Sequence, residues 1–410
     1  GSNFEFRITI LSFELMFCFF ISFFYMEKNS RYYFPFHEFI LFALWAMCAS
    51  IAVILSDHYV PGAIRQLEWF VQIFFSFCLW AFLRNKQRVI IYTHLLVITG
   101  FLLVCAGLIF YWNILPDPHQ YDWMTMTPNF INIRHFSHYC TALLIFSTAF
   151  LLNGSEKHIS KVGSFLLLSL CWSFLFWSGG RAGIGSAAVG LFFVYLIFDK
   201  KKYSIPIIII LSCMVGYLLS DAFAVENRAL GFVNAIKRSD FNGFLSHRIE
   251  LWLVSLKWIK SSFFFGMGPD AFRFLPNTDF IYDHPHNTMI QFSLDWGVPG
   301  TLLFIGLQLR LMKMGFKILL KENTGWLKGI KLSCFSWIVA SLVFGLVDGI
   351  YYFAIPMTLT AYSFAVIFLE NDKKPRLNFS KTYAIPINRN GIRSIVSILV
   401  IILALHKFFS

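Results

Sequence analysis

Residues 284–309 read HPHNTMIQFSLDWGVPGTLLFIGLQL. Two histidines, an asparagine and an aspartate lead; Gly297, Pro299 and Gly300 interrupt; an apolar run follows. Such a run, at about 20 residues, matches a hydrocarbon layer of about 30 Å. The stretch therefore reads as a boundary between water and membrane, and the same alternation recurs along the chain. Candidate spans lie near 8–25, 36–56, 66–83, 89–112, 137–152, 161–178, 182–198, 204–221, 298–318, 330–347, 353–370 and 391–408. These predict an all-α polytopic membrane protein with about twelve transmembrane helices. Residues 3–410 read as one integral membrane domain, with Gly1 and Ser2 set aside as extraneous.

Composition agrees. Of 410 residues, 57% are hydrophobic and only 14% charged, and 50 are phenylalanine, which excludes an ordinary soluble globule. The net charge of +12 would point to nucleic acid in a soluble protein. Here the cations cluster in short loops, the topology signal of a membrane protein, so no nucleic-acid partner is expected. RNKQR (84–88), DKKK (199–202), Lys313–Lys328 and 371–393 are predicted to face the cytoplasm. Counting spans from those anchors places 113–136, the SGGRAG turn at 178–183 and the long 222–297 loop on the opposite face, together with both chain ends. The eight cysteines all fall in apolar runs without CxxC spacing and read as small core residues. No GxxxxGK loop is present, which argues against ATP-driven chemistry.

A segment as long and charged as 222–297 is more often functional than a connector. Inside it, Arg248 opens SHRIELWLVSLKWIKSSFFFG, in which Ile249, Leu251, Trp252, Leu253, Leu256 and Ile259 predict an amphipathic helix lying on the membrane surface. Taken alone, Arg248 reads as an interfacial anchor. Arg181 sits among Gly179, Gly180, Ala182, Gly183 and Gly185, where one span ends and the next begins. Deep burial of that charge would cost about 2.5–3.5 kcal/mol, so it is expected at the boundary, while its small neighbours permit close helix packing.

Asp283, His284 and Pro285 predict a helix start, which places His286 in the first turn and Asn287, Gln291 and Asp295 on one stripe. The positive end of a helix disfavours imidazolium there and leaves the ring free to accept a proton, which suits a general base. The competing reading is a histidine that caps the helix. His284 and His286 with Asp283 also raise a metal site, as do His135 and His138, but no clear third and fourth ligand accompanies either pair and no metal is expected. Arg134, beside His135, is a secondary ligand-binding candidate, as are His284 and Asn287.

HNTMIQFSLDWGVPG, GMGPDAF (266–272) and SGGRAGIG (178–185), in that arrangement, resemble the signatures of the O-antigen ligase and polymerase superfamily over about 130–310. The resemblance implies a GT-C type membrane glycosyltransferase of the bacterial inner membrane with its active site toward the periplasm. It implies transfer of O-antigen glycan from undecaprenyl pyrophosphate to a sugar hydroxyl of lipid A-core, with inversion and without metal or other cofactor. His286 would be the catalytic base, and Arg181 and Arg248 would bind the donor pyrophosphate. The intact histidine signature favours ligase over the related polymerases, with a protein O-oligosaccharyltransferase the next reading. A lipid or polysaccharide transporter is the alternative from another class, but the repeated halves common there are not visible.

Overall fold

The computed structural model describes residues 2–26, 31–84, 86–128, 130, 132–152, 158–197, 204–223, 230–237, 248–275, 283–322, 325–369 and 384–409. The clusters at 199–202 and 371–383, and the loop charges Arg228, Arg238, Asp240 and Asp279, lie outside the described residues.

The chain is an all-α bundle. Its helices are α1 (Ser2–Phe20, continued by a π turn, Ile21–Tyr25), α2 (Phe36–Ile54), α3 (Tyr59–Leu83), α4 (Gln87–Ile114), α5 (Ile133–Leu152), α6 (His158–Trp177), α7 (Arg181–Ile197) and α8 (Ser204–Ser220). Among its described residues, the 222–297 segment contributes the short helices α9 (Phe232–Lys237) and α10 (Arg248–Ser261). Then follow α11 (Thr288–Lys321), α12 (Trp326–Gly345), α13 (Ala354–Ile367) and α14 (Arg389–Phe409). Eight of these are long and apolar enough to cross a membrane, and α7 and α13 are shorter apolar helices. The two remaining expected spans, 298–318 and 391–408, fall within α11 and α14. One feature was not foreseen: β1 (Arg31–Pro35) pairs antiparallel with β2 (Ala384–Asn388), Arg31 opposite Asn388 and Pro35 opposite Ala384.

Burial separates inner helices from outer ones. In the most apolar stretch of α12, 83% of residues are buried inside the protein and in α5 78%, against 22% in α2, α4 and α8. Small residues hold α12 close to both α5 and α7: a Cβ on Gly329 of α12 would lie 3.0 Å from the Ala149 carbonyl of α5, and one on Gly190 of α7 3.1 Å from the Ser336 carbonyl of α12. Helices this close gain dispersion contacts that lipid tails do not replace.

The break anticipated at Gly297 is real, and its repair explains a second motif. In an unbroken helix the Leu294 carbonyl would accept from Val298; instead it accepts from Met267 N–H at 2.6 Å, and Val298 N–H donates to the Phe263 carbonyl at 2.9 Å. The GMG turn thus replaces one lost helical bond with two, as a low-dielectric setting requires. Gly266 (φ 68°) and Gly297 (φ 72°) face each other across this splice. A Cβ on Gly266 would strike the Leu294 carbonyl, and one on Gly297 the Phe264 carbonyl. Only glycine meets both demands.

Candidate active site at the helix ends

The start of α11 lies four residues later than expected. Asn287, not Asp283, caps the helix: its side-chain oxygen accepts from Met289 and Ile290 N–H at 2.9 and 3.1 Å. Its amide also donates to the Leu346 carbonyl at 2.8 Å, tying the start of α11 to the end of α12. His286 therefore precedes the cap instead of sitting in the first turn. Its φ of 53° is one of two positive values among described non-glycine residues, the other being Asp270. Such backbone conformations persist where surroundings over-determine them, often at functional sites.

Those surroundings centre on Asp348, in the loop after α12. Its Oδ1 lies 2.9 Å from His286 Nδ1 and its Oδ2 3.4 Å from His138 Nε2 on α5. Gly349 N–H also donates to Oδ1, at 2.8 Å. Burial works to raise the Asp348 pKa, but the hydrogen bonds from His138 and His286 outweigh it and hold the carboxyl well below the usual range. An ionised Asp348 fixes the proton of His286 on Nδ1 and leaves Nε2 with its lone pair, the tautomer a general base needs.

His284 is closer to this centre than its place beyond Pro285 implied. Its Nδ1 accepts from His286 N–H at 3.2 Å, and its ring packs 5.0 Å from Tyr352. A Cβ on Gly349 would collide with that ring. Burial holds His284 well below the usual histidine pKa, against the pull of the Asp348 carboxylate, and keeps it neutral. His135 completes the group, its ring 4.1 Å from Phe353 and 6.1 Å from that of His138.

Arg181 and Arg134 approach from α7 and α5. Gly179 (φ 63°) turns the chain after α6, and a Cβ on Gly180 would lie 2.7 Å from that of Ser137, so α7 begins tight against the turn of α5 that carries His138. Arg181, first in α7, is near enough to Arg134 for the two charges to repel. Two guanidiniums gathered at one rim suit an anion, whose oxygens accept their planar forks. Arg248 begins α10. One turn on, Trp252 Nε1 donates to the Pro285 carbonyl at 2.9 Å, which brings the Arg248 face of α10 to the His286 loop.

The α10 expectation needs one correction. Its apolar residues do not share a face: Leu251, Ser255 and Ile259 are buried against the protein, whereas Ile249, Leu253 and Leu256 point outward. The Asn287–Gln291–Asp295 stripe turns inward as well, with Gln291 and Asp295 buried.

His284, His286 and Asp348 each offer a metal-ligating atom, all within 4.8 Å of one another. The set suits a divalent ion by chemistry. His284 Nδ1, His286 Nδ1 and Asp348 Oδ1 are already engaged with one another or with backbone N–H groups, contacts that make the cluster an acid–base network. Asp348 and His138 were not singled out as partners of His286 in the sequence. A signal existed: Asp348 is the lone acidic residue between Glu322 and Glu370, in an otherwise apolar region.

Residues 165–305 match a family model described as O-Antigen ligase. That segment includes Arg181, Arg248 and His286 and bears out the resemblance drawn from the sequence; Asp348 and His138 lie beyond it. No curated protein matches the chain.

Proposed function

Taking the O-antigen ligase superfamily as the family of this chain, we propose that it transfers O-antigen glycan from undecaprenyl pyrophosphate to a sugar hydroxyl of lipid A-core, on the periplasmic side of the bacterial inner membrane. The observation that carries the reading is the His286–Asp348 pair, 2.9 Å apart, beside the turn of α5 against which Arg181 begins α7. His286 Nε2 takes the proton of the acceptor hydroxyl, and that oxygen attacks the anomeric carbon. The bond from carbon to pyrophosphate breaks with its electron pair on the phosphate oxygen, inverting the centre. Arg181 and Arg248 meet the charge that develops there, with Arg134 beside them. One displacement needs no covalent enzyme intermediate and no metal. The single domain of residues 3–410 takes a GT-C type architecture, with 222–297 as its periplasmic loop.

Purified protein in liposomes with lipid-linked glycan and lipid A-core tests the reading. Glycan joined to lipid A-core without ATP or added metal is the expected product. Extension of one lipid-linked glycan by another would make it a polymerase, and transfer to serine or threonine a protein O-oligosaccharyltransferase. Movement of intact donor without a new bond would make it a transporter.

A further inference from the structure

Helix α10 presents three stripes. Leu251, Ser255 and Ile259, at i, i+4 and i+8, are buried against the protein. Ile249, Leu253 and Leu256, at i, i+4 and i+7, are exposed, Leu253 at 56%. Glu250, Lys257 and Ser261 form a third, polar and exposed stripe, and exposed Lys260 ends the outward apolar one. Directly after the helix, Phe263, Phe264 and Phe265 are all exposed, Phe264 at 67%. A water-facing helix would not carry that second apolar stripe.

The depth of this surface can be read from its neighbours. The Phe263 carbonyl is bonded to Val298 N–H, at the start of the apolar part of α11, and Leu302, one turn deeper, is 64% exposed. A Cβ on Gly268 would strike Ser56, which directly follows the outward-facing Ile54 and Leu55 at the end of α2. Phe263–Gly268 thus lies level with the point where two lipid-facing helices end. A helix there meets protein on one side, acyl chains on another and water on the third. Lysines at such a boundary bury their stems and reach phosphates with their ammonium groups.

We propose that α10 and Phe263–Phe265 form a docking surface for the bilayer interface, with Lys257 and Lys260 over anionic lipid phosphates. This goes beyond the proposed reaction and does not depend on it. Through Trp252 and Pro285 the surface would hold His286 at the level of lipid phosphates, where a lipid-linked donor carries its own.

The test uses the full-length protein in nanodiscs, with the half-buried Cys48 and Cys213 replaced by alanine and a nitroxide on Leu253→Cys, Leu256→Cys, Lys257→Cys, Phe264→Cys or, as a lipid-facing standard, Leu302→Cys. Collision with oxygen should exceed collision with an aqueous nickel chelate at 253, 256, 264 and 302, and the order should reverse at 257. The positions are separate surface sites, so any pair spanning two stripes gives the pattern. Introducing phosphatidylglycerol into phosphatidylcholine nanodiscs should shift the label at 253 deeper, and Lys257→Glu with Lys260→Glu should abolish that shift. Labels at 253 and 256 as open to nickel as the one at 257 would overturn the proposal. So would protection seen only with two copies per disc, which would make the surface an interface between copies.

Discussion

The loop between α12 and α13 is gripped from two sides, by two kinds of charge. On one side Asp348 is held by His286, His138 and Gly349 N–H. On the other, Arg65 Nη2 donates to the Tyr351 carbonyl at 2.5 Å, and the guanidiniums of Arg65 and Arg7 lie 5.1 and 5.0 Å from the Tyr352 ring. Glu68 pairs with both arginines, and Tyr352 donates to Asp270 at 3.0 Å. The first cluster uses groups that exchange protons and leaves His286 partly open; the second uses permanent charges and encloses them. Permanent ions stay charged whatever happens next door, so they suit a scaffold. Imidazoles beside a carboxylate suit chemistry.

The comparison breaks most sharply at His286. His286→Ala should lower turnover about 10²–10⁴-fold while lipid-linked donor still binds; transfer at the wild-type rate would remove the base assignment. Asp348→Asn keeps the shape but loses the charge that fixes the tautomer, so it should follow in turnover more than in donor binding, measured in the same two assays. Glu68→Gln should do the reverse. It leaves two buried guanidiniums without their counter-charge, a loss of about 3–5 kcal/mol, seen as early thermal unfolding with near-normal turnover in protein that remains folded. A Glu68→Gln protein of full stability and no activity would make the two clusters one.

Arg181→Lys keeps a charge but loses the planar fork. Its effect should appear as weakened donor binding and reduced turnover, and normal activity in both Arg181→Lys and Arg181→Ala would leave only a boundary anchor. The smallest effect is that of acid. Buried His284 stays neutral when folded, whereas an unfolded histidine takes up a proton near pH 6.5, so stability should decline as pH falls below about 6.5. Asp348, ionised when folded, adds a further loss below about pH 4, the range of an unfolded aspartate. His284→Ala should lessen the first of these declines; a thermal-melt series from pH 7 to 5 that is identical with and without His284 would contradict it.

The helices were legible because membrane spans are written in composition, and each of the twelve expected spans overlaps a described helix. His286 was legible because polar residues before an apolar run are conspicuous. The acid–base role proposed for it was legible less well, because it would depend on Asp348, 62 residues on, and on His138, 148 residues back. Only packing of α5, α11 and α12 brings the three together. The start of α11 was misplaced because Asp283–Pro285 is as good a helix opening, locally, as Asn287. The GMG turn carried no readable purpose until Gly266 and Gly297 were seen face to face. Arg65, Glu68 and Arg7 passed unremarked, since single charges near span ends look like anchors until their partners are known.

The ribbon of β1 and β2 carries a consequence for biogenesis. Arg31–Pro35 pairs with Ala384–Asn388, and Arg389 and Arg393 donate to the Ser22 and Phe23 carbonyls at the end of the first helix. A strand made early thus waits for one made about 350 residues later. At about 5–20 residues per second, the roughly 350 residues between the strands take ~20–70 s to make. During that interval the β1 edge and two terminal carbonyls of the first helix lack their partners. Truncation before residue 384 would make that vulnerable state permanent, and a membrane protease or an insertion factor would meet it there first.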